Sequence, residues 1–345
     1  MSSALAQSIL KNQQKLAEKI IDLQYARQPG VWKPYGHPGR EKSVRDAGYH
    51  LLYLAEALET EDQILFIEYL AWVKSKFASL DFPEDVLSTS LECTREVLVA
   101  NLPIEFHTPV LEMIEIGRLS LSEVRKASTS FLEEDNLLAR QFLEFLLQGN
   151  RQAASKFILD AVNQGTSVKD VYLNIFQNTQ REVGLLWQTN QISVAQEHFC
   201  SAATQMVMSQ LYPFIFNGER KNRRLVMACV GGELHEIGAR MVADFFEMEG
   251  WDTYFLGANT PPESILQTVI EREANVLGLS TTMTFHVNKV RGIIEDLRAD
   301  GNTSTRVLVG GYPFNLSPGL WEKIGADGYA HDAQAAIREA ERLLA

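Results

Sequence analysis

Two glycines, an acid and a histidine follow each other closely in Gly231-Gly232-Glu233-Leu234-His235-Glu236-Ile237-Gly238. A neutral imidazole is a good ligand for a borderline transition-metal ion, provided its second nitrogen has an acceptor that fixes the tautomer. Glu233, two residues before His235, is the nearest candidate acceptor, either directly or through a water. The glycine pair allows a tight backbone turn, and Gly238 allows close approach where a helix begins. A second group lies upstream: Trp187, then Glu197-His198 ten residues later. A flat apolar indole can cover a ligand, while a carboxylate and an imidazole can bind hydroxyl groups. A third group sits near the N-terminus, where Asp46, Tyr49, His50 and Tyr53 recur at helical spacing, preceded by Tyr35, His37 and the Pro38-Gly39-Arg40 run.

These groups must be positioned by different kinds of structure. Before about Asn217–Arg224 apolar residues recur every three or four positions, the helical pattern. After it, short β-branched runs alternate with helical stretches, the pattern of a parallel sheet with crossover helices. Residues 1–130 are expected to be all-helical, with a Pro/Gly-rich connection from Gln28 to Arg40. Helices are expected over about Glu41–Leu58, with Leu51, Leu54, Ala55 and Leu58 as its core stripe, over Asp62–Ser79 and over Pro83–Ala100. Residues 131–216 read as four helices. Gly149-Asn150 and Gly165 are their breaks, Ser167 is an N-cap, Ser193 with Gln196 is a capping box, and Pro213 is the stop or kink. Residues 217–345 read as five βα units. The strands are Leu225–Val230, Thr253–Leu256, Val276–Ser280, Val307–Val309 and a weaker one at Gly328–Ala330. Helices follow near Ile237–Gly250, Pro262–Glu273, His286–Asp300, Pro318–Ile324 and Ala333–Leu344. In such an open doubly wound sheet, ligands bind beyond the carboxyl ends of the strands, where His235 falls.

The 345 residues suit two or three domains. A formal charge of -12 argues against a nucleic-acid partner, and the one dense basic run, Arg220, Lys221, Arg223 and Arg224, reads as a solvated linker. Cys93, Cys200 and Cys229 form no CxxC pair, which argues against a disulfide framework or a zinc site. Neither a signal peptide nor a run of about 20 apolar residues is evident, so the expected location is the cytoplasm, without a membrane partner. A dinucleotide fold is excluded because no G-x-G-x-x-G follows the first strand.

The loop resembles the D-x-H-x-x-G motif of B12-binding domains, with Glu233 in the acidic place. Ser280 and Thr282 at the end of the third strand resemble that family's serine-containing motif, and Gly310-Gly311 at the end of the fourth resembles its Gly-Gly motif. The resemblance implies that His235 binds cobalt from below, and that these strand ends line the slot for the cobalamin's nucleotide tail. Leu234, Glu236, Ile237, Gly238 and Tyr312 are expected to line the same site. The spacing Trp187-x9-Glu197-His198 resembles the cap of B12-dependent light sensors. It implies adenosylcobalamin, with the indole over its adenosyl group, Glu197 and His198 on its polar atoms and Val194 alongside. Light-sensing members often have His after the Trp, where this chain has Gln188, which leaves the upper ligand after light open to His198 or water. The order of a globin-like helical domain, a cap and a B12 fold is similar to the photocobilins, which hold cobalamin and biliverdin. That implies a bilin on Tyr35, His37, Arg40, Asp46, Tyr49, His50 and Tyr53. A helix–helix interface with a satisfied polar network is the plainer reading of that stripe. Haem on His50 or His107, covalent attachment at Cys93, and an empty sensor domain are the other options.

The resulting expectation is a multidomain α and α/β chain: a globin-like N-terminal domain, a helical-bundle cap, and a Rossmann-like, flavodoxin-like cobalamin domain. It would act as a photoreceptor and not an enzyme, through a homo-oligomer (a dimer) with light-dependent assembly and a downstream signalling protein. The alternative is a corrinoid methyl carrier serving a methyltransferase system.

Overall fold

A computed structural model describes residues 2–122, 130–216 and 219–345. Asn217, where the expected change of pattern begins, lies outside the described residues. The chain divides into two compact units, Met1–Arg125 and Lys126–Ala345.

The first unit is helical throughout its described residues. Its main helices are α1 (Ser2–Lys11), α2 (Gln13–Arg27), α3 (Gly36–Thr60), α4 (Gln63–Ser79), α5 (Asp85–Asn101) and α6 (His107–Ser120). Leu51, Leu54, Ala55 and Leu58 of α3 are buried, as their spacing predicts. Asp62 caps α4 by accepting from Ile64 N at 3.1 Å. The expected open connection from Gln28 to Arg40 is instead helical: Pro29–Trp32 and Lys33–Tyr35 form short turns, and α3 already begins at Gly36. Pro38 fits because the first turn of a helix has N–H groups without intrahelical partners, so a missing one costs nothing. The buried Trp32 anchors the segment by stacking on Tyr25, with ring centroids 5.1 Å apart.

The second unit starts with four helices. They are α7 (Leu137–Leu147), α8 (Arg151–Asn163), a third that runs from Val168 into α9 (Gln177–Gln188), and α10 (Val194–Gln210). Asn136, Asn150, Ser167 and Ser193 cap their starts, and Ser193 with Gln196 makes the full capping box. The third helix contains a π-helical turn, Val171–Phe176, which the apolar spacing did not reveal. Pro213 falls in a short turn, Tyr212–Ile215, after α10 ends.

A five-stranded parallel sheet follows: β1 (Arg224–Val230), β2 (Asp252–Thr260), β3 (Val276–Ser280), β4 (Arg306–Gly310) and β5 (Gly328–Ala330), in the order β2-β1-β3-β4-β5. Helices α11 (Ile237–Met248), α12 (Pro262–Glu271), α13 (Val287–Ala299) and α14 (Ala333–Leu343) cross between and after the strands. Leu225–Val230 is buried along its whole length, which is why β1 reads as an unbroken apolar run rather than an alternation. β2 runs four residues past its expected end at Leu256, carried by register irregularities against β1 at Gly257 and Thr260. The helix expected at Pro318–Ile324 shrinks to Leu320–Lys323, and an unexpected turn, Tyr312–Leu316, follows β4.

The basic run after residue 219 is exposed at Arg220 and Lys221, as a solvated stretch should be, but its charges are paired. Arg220 pairs with Glu247 at 2.6 Å, Lys221 with Glu341 at 3.0 Å and Arg224 with Glu273 at 2.7 Å, while Arg223 lies over the Trp251 ring. Each cation meets an acid or ring brought in from a later element, so the run stitches the first strand's start to the helices around it. No helix among the described residues is long and apolar enough to cross a membrane.

Candidate functional site

The order of β1 and β3 side by side, with β2 and β4 outside them, places the crossover point of the sheet at the carboxyl ends of β1 and β3. Gly231 to Glu236 leave β1 there as an irregular loop. Gly232 takes a φ of +85°, and a Cβ on it would lie 3.0 Å from Lys289 Nζ and 3.2 Å from His286 Nε2, so any other residue there would be strained. Asn259 at the end of β2 accepts from Gly232 N at 2.6 Å, and Lys289 donates to Gly231 O at 2.6 Å. The turn is thereby held from two sides.

Glu233 is completely buried and acts as the hub of this loop. Its Oε1 faces His235 Nδ1 at 2.5 Å and accepts from His235 N at 3.0 Å. The bond to the imidazole is direct. Its Oε2 accepts from Thr281 Oγ1 at 3.0 Å, Thr282 N at 2.8 Å, Met283 N at 2.9 Å and His286 Nδ1 at 3.2 Å. Burial opposes the charge on Glu233, yet the bonds from His235, His286 and the backbone outweigh it and hold the carboxyl well below the usual range. With a carboxylate facing it, Nδ1 of His235 carries the ring proton, so Nε2 keeps its lone pair. The side chain is 57% exposed, so that nitrogen is accessible.

Helix α10 reaches the same loop. Gln205 of α10 donates to Glu236 Oε1 at 3.1 Å, and Glu236 Oε2 accepts from Ala258 N at 2.9 Å. His235's pKa is raised by its bond to Glu233, against burial, and the Glu197 carboxylate on α10 adds to that rise. Glu197 itself holds His198 Nδ1 at 2.5 Å and accepts from Ser201 at 3.0 Å. Trp187 is half-buried at the end of α9, and Val194 and His198 are exposed on the first turn of α10. Leu234 and Tyr312 are exposed beside the loop ends.

At the other strand ends, Ser280 pairs in register with Gly310. Gly311 takes a φ of +106°, and a Cβ there would fall 2.0 Å from Thr281 O, a collision no side chain survives. Thr284 was not singled out from the sequence, although it is 3% exposed and its Oγ1 is buried without a hydrogen-bond partner. This orphaned hydroxyl, four positions past the end of β3, leaves one hydrogen bond for a polar ligand to supply. Thr281, His286, Lys289 and Asn259 were also missed. Their only sequence signal was proximity to the ends of the second and third strands.

In the first unit the expected residues do not form one constellation. Since α3 is continuous from Gly36, 100° per residue carries His37 and Arg40 well away from the Asp46–Tyr53 stripe. Arg40 is paired with Asp22 at 2.6 Å, His37 lies near Glu41 at 3.5 Å, and Tyr35 is exposed beside Trp32 and Phe82. Asp46 and Tyr49 are exposed. His50 and Tyr53 gather around Tyr69 of α4, a residue the sequence reading missed: His50 Nδ1 lies 2.6 Å from its hydroxyl, and the Tyr53 ring stacks on it at 3.5 Å. Burial pushes the His50 imidazole down to about 4. His107 Nε2 sits 3.1 Å from Leu102 O, and Cys93 is buried.

Residues 223–338 match a family model described as a B12 binding domain, and residues 138–212 match a second model of that description. Dimethylamine corrinoid protein 1 of Methanosarcina acetivorans is 28% identical over 168 residues, which cover 48% of this chain and 78% of that protein. Dimethylamine corrinoid protein 3 of the same organism is 33% identical over 128 residues, covering 36% of this chain and 59% of that protein. The chain thus spans little more than half of that second relative's length. Among solved structures, the Methanosarcina barkeri monomethylamine corrinoid protein shares the fold, with a TM-score of 0.53 at 21% identity over 59% of this chain and 98% of the other. The chain therefore carries a pair of B12-binding domains, a helical one over residues 138–212 and a parallel-sheet one over residues 223–338.

Proposed function

We propose that this chain is a corrinoid protein that carries a methyl group for a methyltransferase system, with residues 131–216 as cap, residues 217–345 as cradle and His235 on cobalt from below. The observation that carries the reading is the Glu233–His235 pair: a buried, charged carboxylate fixes one imidazole nitrogen and leaves the other facing out. The likeness to dimethylamine corrinoid proteins supports it. When bound, a corrinoid supplies a cobalt centre that can accept a methyl group and give it up again. The chain's own residues bind, orient and shield. Glu233 sets the tautomer and direction of His235, Ser280, Thr284, Gly310 and Gly311 shape a slot for the nucleotide tail, and the cap excludes water from above. Partner methyltransferases would supply the chemistry that this chain lacks, so it is not itself an enzyme.

A second reading is favoured by one feature, the polar cap. Glu197 and His198 are hydrogen-bonded to each other, and Glu197 is felt electrostatically at His235. A methyl group has no use for such a pair, whereas the hydroxyls of an adenosyl group do. In this reading the chain is a light sensor holding adenosylcobalamin under Trp187. Loss of the adenosyl group would shift the cap and change the assembly of a homo-oligomer that a downstream protein detects. Biliverdin would then sit against the Tyr49, His50 and Tyr53 face of the first unit, away from His37 and Arg40.

One comparison tests both. Cofactor-free protein is loaded in the dark with methylcobalamin or adenosylcobalamin, and retention is measured for wild type, Trp187→Ala, His198→Ala and His235→Ala. A carrier retains methylcobalamin, is indifferent to both cap variants and loses the histidine-ligated spectrum in His235→Ala. Selective retention of adenosylcobalamin that both cap variants abolish, with a light-dependent change of assembly, would replace the carrier by the sensor.

A further inference from the structure

The end of β2 departs from a regular strand. Its register against β1 shifts between Met227 and Ala228 and again between Ala228 and Val230, which brings Gly257 and Thr260 opposite β1. Gly257 and Asn259 both take left-handed backbone, with φ of +82° and +51°. Glycine adopts that conformation freely, and asparagine is one of the few other residues that tolerate it. Thr260 Oγ1 donates to Gly257 O at 3.2 Å and so braces the irregular segment from within.

This segment grips the His235 loop on both sides of the imidazole. Before His235, Asn259 Oδ1 accepts from Gly232 N at 2.6 Å, and Asn259 N donates to Glu233 O at 2.9 Å. After it, Ala258 N donates to Glu236 Oε2 at 2.9 Å. Asn259 thus fixes the backbone just before and just after the Glu233 side chain, and Glu233 holds His235 through both Nδ1 and the backbone N. A single residue, Glu233, links Asn259 to the imidazole.

A metal-binding imidazole is only as well aimed as the groups behind it. The two glycines at 231 and 232 leave the loop little stiffness of its own, so its position must be set from outside. Lys289 also bonds this turn, at Gly231 O, but through a long, exposed and flexible side chain. Asn259 is short, and it makes two bonds from a backbone conformation that few side chains accept.

Resting on the corrinoid reading above, we propose that Asn259 is a positioning residue for the cobalt ligand: by clamping Gly232 and Glu233 it sets the direction in which His235 meets a corrinoid.

The test uses cofactor-free full-length protein and aquacobalamin in the dark, with wild type beside Asn259→Gly and Asn259→Asp, and His235→Ala as the blank. Glycine keeps the left-handed backbone and the N–H of residue 259, and removes only the clamp on Gly232. Aspartate keeps an acceptor oxygen at the same reach. Affinity is titrated by absorption. Ligation is read after reduction to cobalt(II), from the splitting that an axial nitrogen gives the electron paramagnetic resonance signal. Isotopic labelling of the protein's histidines distinguishes them from the cofactor's own base.

Asn259→Gly should bind about three- to tenfold more weakly, as expected for loss of one hydrogen bond. A smaller share of its bound cobalt should show the histidine splitting, and Asn259→Asp should restore both. A glycine variant with wild-type affinity and splitting would overturn the proposal even if its thermal melt fell, because Asn259 would then serve stability alone. An aspartate variant that restored neither would overturn it as well. Wild-type protein that binds aquacobalamin without the histidine splitting would remove His235 as ligand. Wild-type protein that binds no corrin would remove the corrinoid reading, and in both cases the role of Asn259 falls with it.

Discussion

Glu233 and His286 meet at 3.2 Å although 53 positions separate them, and the same carboxylate holds His235 at 2.5 Å through its other oxygen. The loop that presents the candidate cobalt ligand is thus fastened to the end of β3 by one buried side chain.

Replacing that carboxylate by an amide should be costly on two counts. Glu233→Gln sets an N–H group against several of the donors that Oε1 and Oε2 now accept. Global stability in urea should fall by about 2–4 kcal/mol, the range for a broken buried network. Affinity for aquacobalamin, titrated by absorption, should fall roughly 10- to 100-fold, the usual cost of losing the partner of a metal-binding imidazole. Glu233→Asp keeps the charge and should retain part of both. A Gln variant as stable and as tight-binding as wild type would contradict the role given to Glu233.

Gly311→Ala tests the close approach of β4 to the loop after β3. The left-handed backbone there costs a side chain about 1–3 kcal/mol, and the Cβ falls 2.0 Å from Thr281 O, so backbone must also move. A loss of more than about 2 kcal/mol is expected in urea denaturation. Gly238→Ala, with nothing within 4 Å, is the control and should change little.

Asp244 of α11, bonded to Tyr172, makes stability depend on pH in an unusual direction. Burial pushes its carboxyl up from 3.8 to about 6, and the nearby Glu247 adds to the rise, while Tyr172, Arg240 and Tyr212 oppose it. Between those two values the folded protein binds more protons at this site than the unfolded chain does. Stability from this group is therefore full below about pH 4 and declines as pH rises through about 6. Asp244→Asn cannot ionise, so its stability relative to wild type should improve by about 2–3 kcal/mol between pH 4 and pH 7. Paired urea titrations across that range check this, and a pH-independent difference would refute it.

His50 should behave in the opposite sense. Its imidazole is pushed from 6.5 down to about 4 by burial, and the Tyr69 hydroxyl, whose own pKa is raised well above 10, stays protonated to donate to it. The unfolded chain then binds more protons here between about pH 4 and 6.5, so this contribution is full above 6.5 and is lost as pH falls towards 4. Nuclear magnetic resonance titration of the histidine ring protons should show one midpoint near 4 that vanishes in His50→Gln. A midpoint near 6.5 would mean that the ring is solvated.

Several features were decided by residues near each other in the chain. The capping box of Ser193 and Gln196, the apolar run of β1 and the spacing of Glu233 and His235 all depend on neighbours within a few positions, where backbone geometry alone sets what can meet. The five strands and the break between helical and sheet regions were legible for the same reason. What stayed hidden depended on distant partners. Nothing around Thr281, Thr284 or His286 says that a carboxylate about 50 positions earlier will need donors, or that a hydroxyl will be left without one. Tyr172 and Asp244 look like two ordinary helix residues until the cap lies against α11. Tyr69 looks like core until His50 and Tyr53 close on it, and the Pro/Gly-rich stretch before Arg40 looks like a loop until Trp32 is buried. Local pattern determined which elements form, because it reports burial periodicity and caps. Only the tertiary structure decided which buried polar groups meet, because their pairing is set by packing between elements and not by spacing along the chain.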